Sequence, residues 1–111
     1  LDANHGIHAG DIETSLMLHF RPDLIDMSQA AAFNPLTVEM AAEGYSWLRP
    51  TGLHAMAWMA QDVHPSGAAG DASLATAEKG KATAAFQAKG FVELLADVAR
   101  FPLERLHKGA G

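Results

Sequence analysis

The longest uninterrupted helical pattern runs from Leu74 to Arg100, about a quarter of the chain. Phe91, Leu94, Leu95, Val98 and Phe101 recur at the i, i+3, i+4, i+7 spacing that lines one helix face with apolar side chains. Asp71 or Ser73 can cap its start, Glu78 lies near that start, and Pro102 stops it. Its first half is rich in alanine and holds Gly80, with Gly90 further on. Each glycine costs roughly 1 kcal/mol of helix stability relative to alanine, so its use here points to a second element approaching closely.

The other elements are shorter. Asp11 to Phe20 reads as a helix, with Ile12, Leu16 and Phe20 in one stripe broadened by Met17 and Leu18. Pro22 ends it, because the residue before proline avoids the helical region. Asp26 or Ser28 can cap a helical turn through Gln29–Ala32, and Phe33-Asn34-Pro35 breaks that turn. Leu36 to Gly44 fits neither period and reads mostly as loop. Leu53 to Trp58 is the best strand candidate, a short apolar run bounded by turn residues. Asp62 to Asp71 is a loop by composition, and 103–111 is a tail. The order is loop, helix, link, strand, loop, helix. The expected class is α/β, as part of a layered fold, with partner strands supplied from outside these residues, because so little strand cannot make a sheet alone.

At 111 residues the chain is enough for one domain. Its net charge of −5 and lack of a Lys/Arg cluster exclude a nucleic-acid partner. With no cysteine, disulfides, thiolate zinc sites and a cysteine nucleophile are ruled out, a composition that suits the cytoplasm. The longest apolar run, Ala55 to Ala60, is far too short to cross a membrane.

The chemistry-bearing residues gather early. Gly6-Ile7-His8-Ala9-Gly10-Asp11-Ile12-Glu13-Thr14-Ser15 packs an imidazole and two carboxylates into six residues. The backbone is expected to bend at Gly6 and Gly10. Asp11 and Glu13 fall in the first turn of the helix, where the dipole favours carboxylates. An imidazole that titrates near neutrality and a hard oxygen ligand at one loop are what a metal-assisted hydrolase needs. The plain alternative is a loop histidine bonded to backbone and a first-turn carboxylate serving only its helix.

The string His8-Ala9-Gly10-Asp11-Ile12-Glu13-Thr14-Ser15-Leu16-Met17-Leu18, followed by Arg21-Pro22-Asp23-Leu24-Ile25-Asp26-Met27, resembles the creatininase (creatinine amidohydrolase) family. Trp58-Met59-Ala60-Gln61-Asp62-Val63-His64-Pro65-Ser66-Gly67, Gly70-Asp71 and Leu74-Ala75-Thr76-Ala77-Glu78-Lys79-Gly80 resemble its C-terminal section, in the same order. The resemblance covers the chain to about Phe101. It implies an α/β layered fold with a mostly parallel sheet flanked by helices, and a metal-dependent amidohydrolase acting on a C–N bond of a small cyclic or linear amide. It implies two divalent metals, zinc or manganese, and a homo-oligomer, hexameric in the family. It assigns Glu13 as a metal-binding glutamate and His8 as the histidine that handles protons at the scissile bond. The family's other ligands, a Glu-x-His…Asp constellation and an Asn-Gly-His-rich loop, have no match here. The expectation is therefore that residues 1–111 are the C-terminal part of a single domain whose N-terminal half is absent, inactive by themselves. Creatinine-cleaving members clasp the ring with a tryptophan and an aspartate where this chain has Asn4 and His5, which makes those two the candidate substrate-binding positions and argues against creatinine itself. The alternatives are a non-catalytic folding or assembly module and a peptide-trimming relative.

The remaining candidates have simpler readings. Asp11 is expected to be a cap or solvent-facing, and Thr14 and Ser15 to be helix packing or hydrogen-bond donors to Glu13. His19 reads as surface or packing. His54 is expected to pair in the sheet, and Asp62 and His64 to shape the turn before Pro65. The Ser66–Gly70 loop lacks the Gly-Lys-Ser ending of a nucleotide cradle and is expected near the rim of the site. Trp47, Trp58 and Phe86 are expected in core or subunit contacts.

Overall fold

A computed structural model describes residues 2–109. The helices are α1 (Asp2–His5), α2 (Asp11–Phe20), α3 (Leu36–Ala42), α4 (Ala60–Val63) and α5 (Ala77–Arg100). Short 3-10 turns at Pro22–Leu24, Met27–Gln29, Ala72–Leu74 and Leu103–Arg105 punctuate the links. Among the described residues, sheet is limited to β1 (Ala32–Phe33) and β2 (Gly70–Asp71), an antiparallel pair with Ala32 opposite Asp71 and Phe33 opposite Gly70. The expected mostly parallel sheet is not contained in these residues. The chain is helical, and its only described strand pairing runs the other way.

Helix α2 has the expected boundaries. Asp11 and Glu13 occupy its first turn, and the Gly10 N–H donates to Glu13 Oε2 at 3.2 Å. Beyond Arg21, Pro22 opens a 3-10 turn, and Arg21 meets Asp23 through two bonds of 2.8 and 2.6 Å. The packing face differs from the apolar stripe. Ile12 and Phe20 are exposed, while Ser15 is only 1% exposed and faces α5. Gly80 explains why: a Cβ there would overlap the Ser15 carbonyl, so α5 meets α2 backbone to backbone. The expected close approach is thus realised at Gly80. A Cβ at Gly90 would meet nothing within 4 Å.

Helix α5 begins at Ala77, later than expected. Thr76 is its cap and accepts the Lys79 N–H at 3.2 Å, while Asp71 caps the preceding 3-10 turn instead, accepting the Ser73 N–H at 3.1 Å. At 24 residues it is about 36 Å long, and α2 covers only its first part.

Two further expectations are corrected. Leu36–Ala42 is a helix, with Thr37 and Met40 buried. It ends where Gly44 adopts φ +86, with Gly44 N–H donating to Ala41 and Tyr45 N–H to Met40, the Schellman closure. Two helical turns are too short to establish a period. Leu53–Trp58 is not a strand. Leu53 is 100% exposed, and the segment makes a turn closed by a single bridge between Arg49 and Ala55. A short apolar run becomes a strand only where a partner edge is present, and none reaches this one among the described residues.

The buried apolar side chains among the described residues are few: Pro35, Met40, Pro50, Val63, Ala69, Ala72 and Ala75. Ala69 and Ala72 flank β2 beneath the loop that carries His8, while Met40 and Val63 lie on α3 and α4, which pack on each other.

Candidate active-site segment

The loop between α1 and α2 is pinned to the residue before β2. Ile7 and His8 N–H both donate to the Ala69 carbonyl, at 2.7 and 3.2 Å, and Ala69 N–H returns to the His8 carbonyl at 2.7 Å. Ala69 is buried, so the anchor is the core itself. The chain then reverses at Ala9, which holds φ +52. The bend expected at Gly6 and Gly10 runs through Ala9 and Gly10, with Ala9 as the left-handed residue and Gly10, at an ordinary φ of −90, leading into α2. A residue with a Cβ in the left-handed region costs about 1–2 kcal/mol and persists only where its surroundings enforce it. Here the backbone bonds to Ala69 on one side and the start of α2 on the other enforce it.

His8 is exposed, and its ring meets the Trp58 ring edge-on, with centroids 5.7 Å apart and planes at 62°. Trp58 is held in turn by its indole N–H, which donates to the Pro50 carbonyl at 2.6 Å. Spacing gave no hint of this pair, which lies far apart in the chain; the Trp58 string was matched to the family, but its ring was assigned to core or subunit contacts. Glu13 is exposed and one oxygen accepts the Gly10 N–H. Thr14 and Ser15 are not its donors: Ser15 Oγ donates to Asp11 Oδ1 at 3.0 Å and accepts the Thr76 N–H at 3.0 Å. Asp11 is no free surface carboxylate either, since Lys79 Nζ lies 2.7 Å from its Oδ2. Asn4 and His5 lie on α1, and no hydrogen bond or ring contact joins them to His8 or Glu13 among the described residues.

A small pocket of about 250 Å³ opens beside the loop, lined by Ala9, Thr14, Ile25, Met27, Phe33 and Ala72 among others. Asp26 stands among its lining residues. The Ser28 hydroxyl and N–H, at 2.7 and 3.0 Å, hold the Asp26 carboxyl below its ordinary range by stabilising the charged form. The Arg21 guanidinium does the same to Asp23, and Asp23 raises Arg21 in return.

The other histidines take local roles. His64 Nδ1 lies 2.7 Å from Ser66 Oγ and its ring meets Phe33 edge-on at 5.6 Å. Asp62 Oδ2 accepts the Met59 N–H at 2.8 Å and so caps α4. His64 shapes the turn around Pro65, as expected, whereas Asp62 serves the start of α4 instead. His54 does not pair in a sheet; it lies in the turn with its ring 5.8 Å from that of Trp47. His19 packs at 4.9 Å from Phe20.

A metal centre needs several donors converging. Among the described residues no group of three or more His, Asp and Glu side chains is placed to hold an ion. Glu13 has the right chemistry for one ligand, but its neighbours do not complete a set. These residues alone do not fit a two-metal centre.

A family model described as Creatininase: Creatinine amidohydrolase matches residues 1–95. A crystal structure of a Bacteroides fragilis protein provisionally assigned as a creatinine amidohydrolase resembles the chain with a TM-score of 0.60 and 24% identity. The match covers 89% of this chain and 37% of that one, so the chain spans little more than a third of its structural relative. No curated protein matches.

Proposed function

The chain belongs to the creatininase (creatinine amidohydrolase) family, and we propose that it is the C-terminal part of a metal-dependent amidohydrolase that cuts a C–N bond in a small cyclic or linear amide. The supporting observation is the His8–Glu13 strap, a left-handed turn at Ala9 tied to the buried Ala69, which carries an imidazole and a carboxylate on either side of it.

In this reading His8 gives a proton to the leaving nitrogen. Its exposure lets it exchange that proton with solvent, and the Trp58 edge limits how the ring can turn. Glu13 contributes one carboxylate to a metal set completed by residues outside this chain, zinc or manganese in the family, two per site. Such metals would supply Lewis-acid chemistry at the amide carbonyl. Asn4 and His5 stand on the substrate side, and the family's hexameric assembly and a cytoplasmic setting belong to the same proposal. Among the described residues no helix is long and apolar enough to cross a membrane. A second reading, a non-catalytic assembly module, draws on the exposed apolar face of α5.

The test has two arms. In the full-length enzyme, His8→Asn lowers kcat for amide hydrolysis by about 10²–10⁴-fold, the usual worth of a general acid–base. Isothermal titration of residues 1–111 with zinc or manganese gives fewer than two tight sites. Two tight metals per isolated chain, or undiminished turnover by His8→Asn, would overturn the reading.

A further inference from the structure

One polar cluster ties the starts of α2 and α5 together. Lys79 Nζ lies 2.7 Å from Asp11 Oδ2 and 2.7 Å from the Leu74 carbonyl oxygen. Asp11 Oδ1 accepts from Ser15 Oγ, which also accepts the Thr76 N–H. The Asp11 side chain is 19% exposed, so the pair is partly shielded from solvent. Next to Lys79, Gly80 brings the two backbones into direct contact, so the starts of the helices meet beside the pair.

Helix stability does not account for this arrangement. An ammonium beside the first turn of a helix opposes the dipole. What the ammonium does hold is Asp11, the residue immediately after Gly10. Gly10 donates to Glu13 and follows the left-handed Ala9, and His8 precedes Ala9. Two anchors therefore bracket the strap: the Ala69 backbone before the turn and the Lys79 ammonium after it.

We propose that Lys79 is a positioning residue, which acts through Asp11 to fix the entry of α2 and with it the relative placement of His8 and Glu13. This rests on the reading of His8 and Glu13 as the reacting side of an amidohydrolase. Lys79 touches neither side chain and takes no part in proton transfer.

Hydrogen exchange and steady-state kinetics on the full chain test it together. Lys79→Met speeds exchange at the Gly10, Thr14 and Ala69 amides by about 10-fold or more, while the middle of α5 keeps its protection. It lowers kcat by about 10- to 100-fold and leaves KM within about 2-fold, as loss of a supporting shell does. Lys79→Arg, which keeps the charge and the reach to Asp11, recovers most of both effects. Asp11→Asn breaks the same pair from the other side without changing shape and gives the Lys79→Met pattern, which covers the case in which Lys79→Met does not fold. Exchange that rises equally through α5, or not at all in the strap, overturns the inference. Failure of the parent enzyme to hydrolyse any amide overturns the amidohydrolase reading, and the exchange arm still decides whether Lys79 holds the strap.

Discussion

Two glycines in one helix have opposite meanings. Gly80 lies where α5 touches the Ser15 carbonyl, and Gly90 faces open space. Gly80→Ala forces α2 and α5 apart and is expected to cost about 1–3 kcal/mol, the usual range for overpacking. Gly90→Ala keeps an ordinary helical backbone and is expected to gain up to about 1 kcal/mol. Urea unfolding of the two variants beside the parent checks both signs. Sequence reasoning treated the pair alike, because composition shows that a position lacks a Cβ and cannot show what stands opposite. The same limit applies to the acidic pair of the motif. Asp11 and Glu13 looked equivalent as first-turn carboxylates, yet Asp11 is taken up by Lys79 and Ser15 while Glu13 stays exposed.

Helix α5 is divided along its length. Its first part packs on α2, and from Phe86 onward its apolar side chains face outward: Phe86 is 79% exposed and Val92, Val98 and Phe91 are similar. The periodicity that marked this stripe was correct as geometry, but nothing among the described residues covers it. Truncation there should therefore differ from truncation in the core. Phe86→Ala is expected to change stability by within about 0.5 kcal/mol, as exposed sites do. Met40→Ala, at a position 6% exposed, is expected to cost about 2–5 kcal/mol. Denaturant midpoints of the two variants make the comparison. A large loss at Phe86 would mean that its face is covered in solution. At the level of elements, α2 and the body of α5 were legible from proline stops and period, while the cap of α5 falls at Thr76 and not at Asp71 or Ser73. Helix α3 and the turn at Leu53 were not legible, because each is short and its state depends on what it packs against.

At the scale of the molecule, apolar surface is in excess. The chain exposes 8128 Å², against roughly 5,900 Å² for a compact monomer of its mass. Its radius of gyration is 18.6 Å, where a compact domain of this length has about 13 Å. A body 53 × 37 × 20 Å in extent with few buried apolar residues among those described has much of its helix surface uncovered. Small-angle scattering from dilute residues 1–111 is expected to return a radius nearer 18.6 Å than 13 Å; a value near 13 Å would show that α5 folds back on the rest. The open shape agrees with a chain that spans 37% of its structural relative, and with the proposal that the remaining ligands and strands come from outside it.

Residue order alone determined the family, the two helices with apolar periods and proline stops, and the short list of groups able to do chemistry. Those properties are local: a proline, a glycine string and a motif each act over a few neighbouring residues. Tertiary structure decided that the sharp turn falls at Ala9 between two glycines, that Trp58 meets His8, that Lys79 holds Asp11, and that Ser15 is the buried residue of α2. Each of these joins residues far apart in the chain or depends on a backbone held from both ends, and such contacts are chosen by packing, which no spacing within a segment encodes. The strap from His8 to Glu13 was visible as a string of residues. What gives it a fixed shape is Ala69 on one side and Lys79 on the other.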